Sequence, residues 1–463
     1  MTDTARNPKR AAIIVATLSC FITPFMSSSV NVALPSIGQE FAMGPILLGW
    51  INSSFLMACL TFLIPFGRLG DIYGCKKIFT KGYFVLLVAS LLIAISHSST
   101  MVIACRVLQG FAAAMILATV TPMLISVVPV SERGHALGTT TAAVYFGQSA
   151  GPFLGGIITQ HLGWRFVFWL IIPLSLTILA ITHFMLKGDW AEAPGERFDL
   201  GGAVILGFGL LSTMYGFSTL PSINAAILIV AGIFGIIFFV FFEMKTVHPI
   251  VDINLFRHNA IFVFSNLAAL INYAATFAVS FLLSLYFQEV KALTPQFTGL
   301  VLIAQPIVQA IFSPMAGRLS DRIEPRLLAS WGMAFTLLGL TMLVFLGANS
   351  ALVYAVLCLV ILGFGFALFS SPNINAVMSS VDHQFYGVAN ATLSTMRLMG
   401  MTFSMGIVMM SMSLLLGKSG ITPDNSGQFL ASMRISLGIF ALMCFGGIFA
   451  SLARGNINRA NIY

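Results

Sequence analysis

Charge is what this sequence lacks most: only 8% of its 463 residues are Asp, Glu, Lys or Arg, against 58% hydrophobic. A soluble core of this length needs a charged shell that so few side chains cannot supply, whereas a bilayer removes the need for one. Acid is scarcer than base, with 15 carboxylates against 23 Lys and Arg, and no Asp or Glu lies deep in any apolar run. The sequence has no His-Glu-x-x-His, no Gly-x-Ser-x-Gly and no paired intramembrane carboxylates, and His161 and His183 stand isolated near the ends of apolar runs. That pattern argues against an enzyme working inside the membrane. No Walker A sequence is present, so ATP-driven pumping by this chain alone is disfavoured. Five of the six cysteines lie in apolar runs, and none pairs at metal or redox spacing, so they read as packing residues. No cofactor or metal is implied. Without a soluble segment, no nucleic acid or large protein partner is expected, and nothing sets an oligomeric state.

What is present is a series of long apolar runs. A span takes about 17 to 25 residues to cross a hydrocarbon core of about 30 Å. Six runs fall near 12–35, 46–66, 78–96, 100–125, 136–160 and 165–186. Two closely spaced ones follow at 199–219 and 223–243, then six more at 260–287, 297–316, 327–347, 350–372, 386–415 and 430–452. The basic stretch Arg6, Lys9 and Arg10 precedes a first run too long for a signal peptide and lacking a small-residue cleavage site, so an uncleaved first span is expected.

The six-two-six pattern carries an internal repeat. Gly67, Arg68, Leu69 and Asp71 recur as Gly317, Arg318, Leu319 and Asp321, an offset of 250, and Thr121-Pro122 recurs as Ser371-Pro372 at the same offset. Gly134 and Gly147 match Gly387 and Gly400 at 253. Duplicating a six-span unit alone would separate the copies by roughly 200 residues, and two inserted spans account for most of the difference. The expected division is a bundle over 1–190, a two-helix linker over 191–258 and a second bundle over 259–463. With the N-terminus inside, 17 of the 23 Lys and Arg fall in cytoplasmic segments, so both termini and both charged turns are expected on the cytoplasmic face of a plasma or inner membrane.

The motifs now carry a family resemblance. Gly67-x-Leu69-x-Asp71-x-x-Gly74-x-Lys76-Lys77 resembles the signature turn of the major facilitator superfamily, and the fourteen-span layout is similar to its drug:proton antiporter branch. Arg106-Val-Leu-Gln109-Gly110 resembles that branch's intramembrane Arg motif, and Gly147-x-x-x-Gly151-Pro152-x-x-Gly155-Gly156 its antiporter motif. Gly163-Trp164-Arg165 and Phe198-Asp199-x-x-Gly202 also look like it. The resemblance implies an all-α integral membrane fold of two six-helix bundles plus two extra helices. It also implies alternating-access transport of a small molecule, with protons as the coupling ion.

The residues themselves suggest roles. Gly67, Gly70 and Gly74 permit a tight turn, while Asp71 can accept from helix-terminal amides and pair with a nearby cation. With Lys76, Lys77, Gly317, Arg318 and Asp321 it makes a candidate latch between bundles, or else a simple topogenic signal. Gly147, Gly151, Gly155 and Gly156 line one helix face, and Pro152 can bend the helix, giving either a pivot or a static packing seam. Arg106 and Arg397 lie within spans, where a charge costs about 2.5 to 3.5 kcal/mol and usually faces a cavity or partner. Asn31, Gln109, Tyr145 and Gln148, with Asn272, Tyr273 and Gln305, are candidates to complete a cavity or to bond helix to helix.

One position departs from the branch. Met26 stands where similar antiporters carry Asp before the Asn31-x-Ala-Leu-Pro35 ending. A cavity with Arg and no acid suits neutral, zwitterionic or anionic amphiphiles better than dications. Export of small amphipathic compounds is therefore the main expectation. Uptake or exchange of a neutral or anionic metabolite is the alternative, and a transport-dead receptor on the same fold is a third.

Overall fold

A computed structural model of the protein describes residues 6–129, 132–186, 188–246, 250, 259–320, 322–381, 386–417 and 420–455. Asp321 lies outside the described residues. Fourteen long helices follow in order: α1 (Arg6–Glu40), α2 (Pro45–Tyr73), α3 (Cys75–Ala94), α4 (Ser99–Val127), α5 (Arg133–His161), α6 (Arg165–Met185), α7 (Leu200–Ser218) and α8 (Ile223–Glu243). The second half has α9 (Ala260–Val290), α10 (Pro295–Ser320), α11 (Pro325–Val344), α12 (Leu352–Ser379), α13 (Tyr386–Leu415) and α14 (Ser426–Leu452). Thirteen are long and apolar enough to cross a membrane. The exception is α5, whose threonines and glycines dilute its hydropathy and which lies enclosed between α1 and α10.

Local chemistry sets the helix starts. Ser98, Asp199, Ser222, Asn259 and Thr294 each accept from the backbone amide three residues on, satisfying a donor that the first turn leaves orphaned. Helix α2 ends at Gly74, whose φ of +105° only glycine adopts without strain. The expected run at 260–287 is not continuous. Helix α9 breaks at 277–278, where the freed Ala278 amide donates to Ser404 Oγ of α13 at 3.0 Å, and it closes in a π turn, Tyr286–Val290.

Packing follows the repeat. In the first half α1 packs on α5, α2 on α4, and α3 on α4 and α6; in the second α9 packs on α13, α10 on α12, and α11 on α12 and α14. The interfaces between halves are related in the same way, α5 against α10 and α2 against α13. Two pseudo-symmetric six-helix bundles result. Helices α7 and α8 pair with each other outside them, with α7 docked on α2 and α13 through Trp50–Tyr215 and Phe217–Phe403 ring contacts at 5.4 and 5.0 Å. Mean hydropathy reaches 3.0 in the most apolar window of α8 while only 17% of that window is buried, the signature of a lipid-facing helix. We call the end bearing the Gly67–Lys77 turn the charged-turn face and the opposite end the far face.

Candidate functional site

The far face is closed by contacts between bundles. A Cβ on Gly156 would land on the Pro295 carbonyl and one on Gly299 on the Pro152 carbonyl, so α5 and α10 meet backbone to backbone. At the related interface Gly49 and Ser53 of α2 pack against Met409 of α13, with Ser53 Oγ 3.3 Å from the sulfur. Between them, Pro35 has no N–H for the Asn31 carbonyl, which instead accepts from Ser284 Oγ of the other bundle at 2.7 Å. The next carbonyl, of Val32, accepts from Gln288 Nε2 at 3.0 Å. His161 Nε2 and Gln296 Oε1, also from opposite bundles, are 3.0 Å apart.

Polar groups gather at mid-depth, on the side of this closure nearer the charged-turn face. The Arg397 guanidinium stands 5.4 Å from the Tyr273 ring centroid, and that ring meets Phe366 edge-on at 5.3 Å. Tyr145 of the first bundle and Ser370 are electrostatic neighbours of the Tyr273 hydroxyl. Arg397 Nε, both amide atoms of Asn272 and Asn373 Oδ1 are buried without a hydrogen-bond partner among the described residues. Native interiors pair nearly all such groups, which makes this set the candidate central site. Gln148 and Gln305 are partly exposed. Met26 is 1% exposed, packed into the apolar core of the first bundle.

Two other candidate groups lie elsewhere. Arg106 is fully buried: Nε donates to the Ile51 carbonyl at 2.9 Å, Nη1 to Gln109 Oε1 at 3.0 Å, and the guanidinium lies 4.4 Å over Phe55. Gln109 passes the link on to Ser90 Oγ at 2.9 Å, so this cluster ties α2, α3 and α4 to one another. Asn31 accepts through its side chain from Asn52 Nδ2 at 2.7 Å and joins the far-face closure. Along α5, Gly147, Gly151 and Gly155 face Phe21, Phe25 with Ser28, and Ser29 of α1, close enough that no side chain fits; Ser29 Oγ donates to the Gly151 carbonyl beside Pro152 at 2.9 Å.

The charged turn makes its contacts with the connection between α6 and α7. Asp189 accepts from the Lys76 amide at 3.1 Å and pairs with Lys77 at 3.4 Å, and its carboxylate fills the space a Cβ on Gly74 would need. Cys75 N–H donates to the Trp190 carbonyl and Ala193 N–H to that of Asp71, at 2.8 and 2.9 Å. Lys76 Nζ reaches the Leu186 carbonyl, and Arg68 forms an ion pair with Glu196. Gly67 and Gly317 occupy related positions against Ala118 of α4 and Ser371 of α12, and Arg318 is exposed.

Sequence reasoning missed three groups here. The acidic connection 188–199 looked like a bare linker, although its alternation of Asp189, Glu192 and Glu196 opposite the basic turn was readable. Ser284 and Gln288 were not among the polar candidates, although their four-residue spacing puts them on one helix face. Glu289, half-buried in the final turn of α9, lies just beyond the expected run 260–287 and was not named as a candidate.

Residues 16–405 match the sequence profile of the Major Facilitator Superfamily. The chain belongs to that superfamily. It is 27% identical over 445 residues to the riboflavin transporter RibZ of Clostridioides difficile (strain 630), covering 95% of this chain and 96% of that one. It is 28% identical to the multidrug resistance protein Stp of Mycobacterium tuberculosis (strain CDC 1551 / Oshkosh), covering 87% and 76%. A solved structure of a mutant peptide transporter POT with alafosfalin shares the fold, with a TM-score of 0.71 at 13% identity over 98% of this chain and 99% of that one. The protein is a multi-pass secondary transporter of the superfamily and not an enzyme.

Proposed function

We propose that the protein exports small amphipathic compounds across the plasma or inner membrane in exchange for protons, by rocking residues 1–190 against residues 259–463 while 191–258 rides alongside. The observation that carries this reading is the unpaired polar set at Arg397, Asn272 and Asn373 beside Tyr145 and Tyr273, lying beneath a far face sealed by bundle-to-bundle contacts. An alternating-access carrier holds its substrate near mid-membrane at the junction of its repeats, and parting the bundles at one end closes them at the other. Read with the basic residues inside, the far face is external and the conformation faces inward. The glycines of α5 act as the pivot, and the charged turns, the first of them held in this conformation by the 188–199 connection, act as the latch that pairs the bundle ends when the opposite face opens. Similarity to a multidrug resistance protein favours export.

The groups around Arg397 also favour a substrate class. They offer a guanidinium and amide edges but no carboxylate, which suits neutral or monoanionic molecules carrying carbonyl or imide groups. A second reading, uptake or exchange of such a metabolite, draws on the same chemistry and on the likeness to a riboflavin transporter. Flux in reconstituted vesicles with an imposed pH gradient separates the two. Uphill movement of a neutral amphiphile opposite to the proton flow, abolished by an uncoupler, is expected. Downhill-only flux, indifferent to the gradient, would sink the proton-linked reading.

A further inference from the structure

A cavity lies away from the Arg397 site, on the far face. It is an open cleft of about 320 Å³ lined by the ends of α1 and α2 in the first bundle, from Pro35 and Gln39 to Leu48, and by Leu285, Glu289 and the 420–421 segment of the second. That volume lies within the usual range for small-molecule sites. Its walls mix apolar surface with the Gln39 amide and one carboxylate, Glu289; every other lining residue is neutral.

Glu289 is set apart by its surroundings. The π turn Tyr286–Val290 widens the helix at this point, a distortion that turns side chains away from the regular α-helical face. Its neighbours are already engaged: Gln288 Nε2 donates to Val32 O and to Ser284 Oγ at 3.0 and 3.1 Å, and Lys291 Nζ donates to the Ser350 carbonyl at 2.7 Å. Among the described residues Glu289 has neither an ion pair nor a hydrogen bond through its carboxylate. A half-buried carboxylate lining a cleft, with no cation paired to it among the described residues, is complementary to a cation brought by a ligand.

We propose that this cavity is a binding site for a monoammonium amphiphile, with Glu289 pairing the ammonium group and Leu48 and Leu285 covering the apolar portion. The site lies in the seam that opens when the bundles part at the far face, so a molecule leaving the central site on that side passes it. It extends the transport reading without depending on it, because occupancy is measured as binding rather than flux.

The test uses the full chain in nanodiscs of zwitterionic lipid and two fluorescent probes of equal length, a dansylated primary alkylamine and the corresponding alcohol. The wild-type protein is expected to bind the amine about tenfold more tightly than the alcohol, the scale of one charge-assisted contact. Glu289→Gln should erase that preference, and Glu289→Asp should keep part of it. Leu48→Trp, which fills the cavity and leaves the carboxylate in place, should weaken both probes and tie the signal to this cavity. Equal binding of the two probes to the wild-type protein overturns the proposal. So does an amine preference that survives Glu289→Gln, or binding of both probes that Leu48→Trp leaves undiminished.

Discussion

Arg106 in α4 and Arg397 in α13 are both arginines inside membrane spans, one in each bundle, but their guanidinium groups are treated differently. Arg106 is fully buried, with two nitrogens donating to Ile51 and Gln109 and its face on Phe55. Arg397 rests on Tyr273 with Nε unpaired, beside an Asn272 whose amide has no partner at either end. A buried donor or acceptor left unpaired costs about 1 to 3 kcal/mol, so a membrane protein keeps such groups only where another state or a ligand satisfies them. The first arginine ties α2, α3 and α4 together, and in the transport reading proposed above the second serves what passes between bundles.

The sharpest way to break this comparison is to remove each arginine in turn. Arg106→Ala strands the Ile51 carbonyl and Gln109 and opens a gap against Phe55, so it should cost about 2 to 5 kcal/mol of stability, seen as a large drop in thermal unfolding midpoint in detergent. Arg397→Gln should leave that midpoint within a few degrees and reduce flux by about tenfold or more, the effect of losing one charge-assisted contact. Equal loss of stability in the two variants would erase the distinction.

The two charged turns differ in the same sense. In the first half, residues 67–81 with 186–199 carry six cations against five carboxylates, and the acidic connection binds the turn directly. In the second half, residues 317–331 with 452–463 carry five cations against two. There Arg454, 2% exposed, donates to Ser451 Oγ at 3.0 Å, its Nε and Nη1 have no partner among the described residues, and burial pulls its guanidinium down to about 10. The duplicated signature has therefore been kept in two electrostatic settings. Asp71 sits among Arg68, Glu192 and Glu196, so Asp71→Asn removes one negative charge from an acid-rich group while nearly preserving shape. We expect it to impair flux or shift the balance between the two faces by several-fold, with membrane insertion unchanged; wild-type flux and unchanged cross-linking across the charged-turn face would reduce the turn to a topogenic signal.

The bundles, their count of helices and their pairing were legible because the bilayer imposes length and apolarity on every span, and because the offset of 250 survives in Gly67 and Gly317. The breaks in α9 were not, since they depend on Ser404 of a distant helix taking up the Ala278 amide. Arg106 and Arg397 were both conspicuous as charges in spans. Their separate fates were invisible, because the partners that distinguish them, Ile51 and Tyr273, lie 55 and 124 residues away in sequence. Pro35 showed where a carbonyl would be freed, but only the fold shows that Ser284 reaches it.

The smallest expected effect concerns Met26, where the first bundle lacks the acid its relatives' signature would lead one to expect. The residue is buried in the apolar core, so in this conformation no charge on α1 faces a ligand from that position. A permanent dication entering beside Arg397 meets desolvation that nothing offsets, together with repulsion from the guanidinium. The unmodified protein should therefore carry dicationic amphiphiles poorly and neutral or monovalent ones well, a difference measured by competition flux at equal probe concentration. Met26→Asp should add a modest, about two- to fivefold, gain for dications, the partial return of one screened charge pair, because a carboxylate there must first work its way out of a packed interface. The companion Met26→Asn controls for polarity without charge and should give no gain. Efficient dication export by the unmodified protein would overturn the charge argument for the central site, and the Glu289→Gln variant would then show whether the far-face carboxylate supplies the missing attraction.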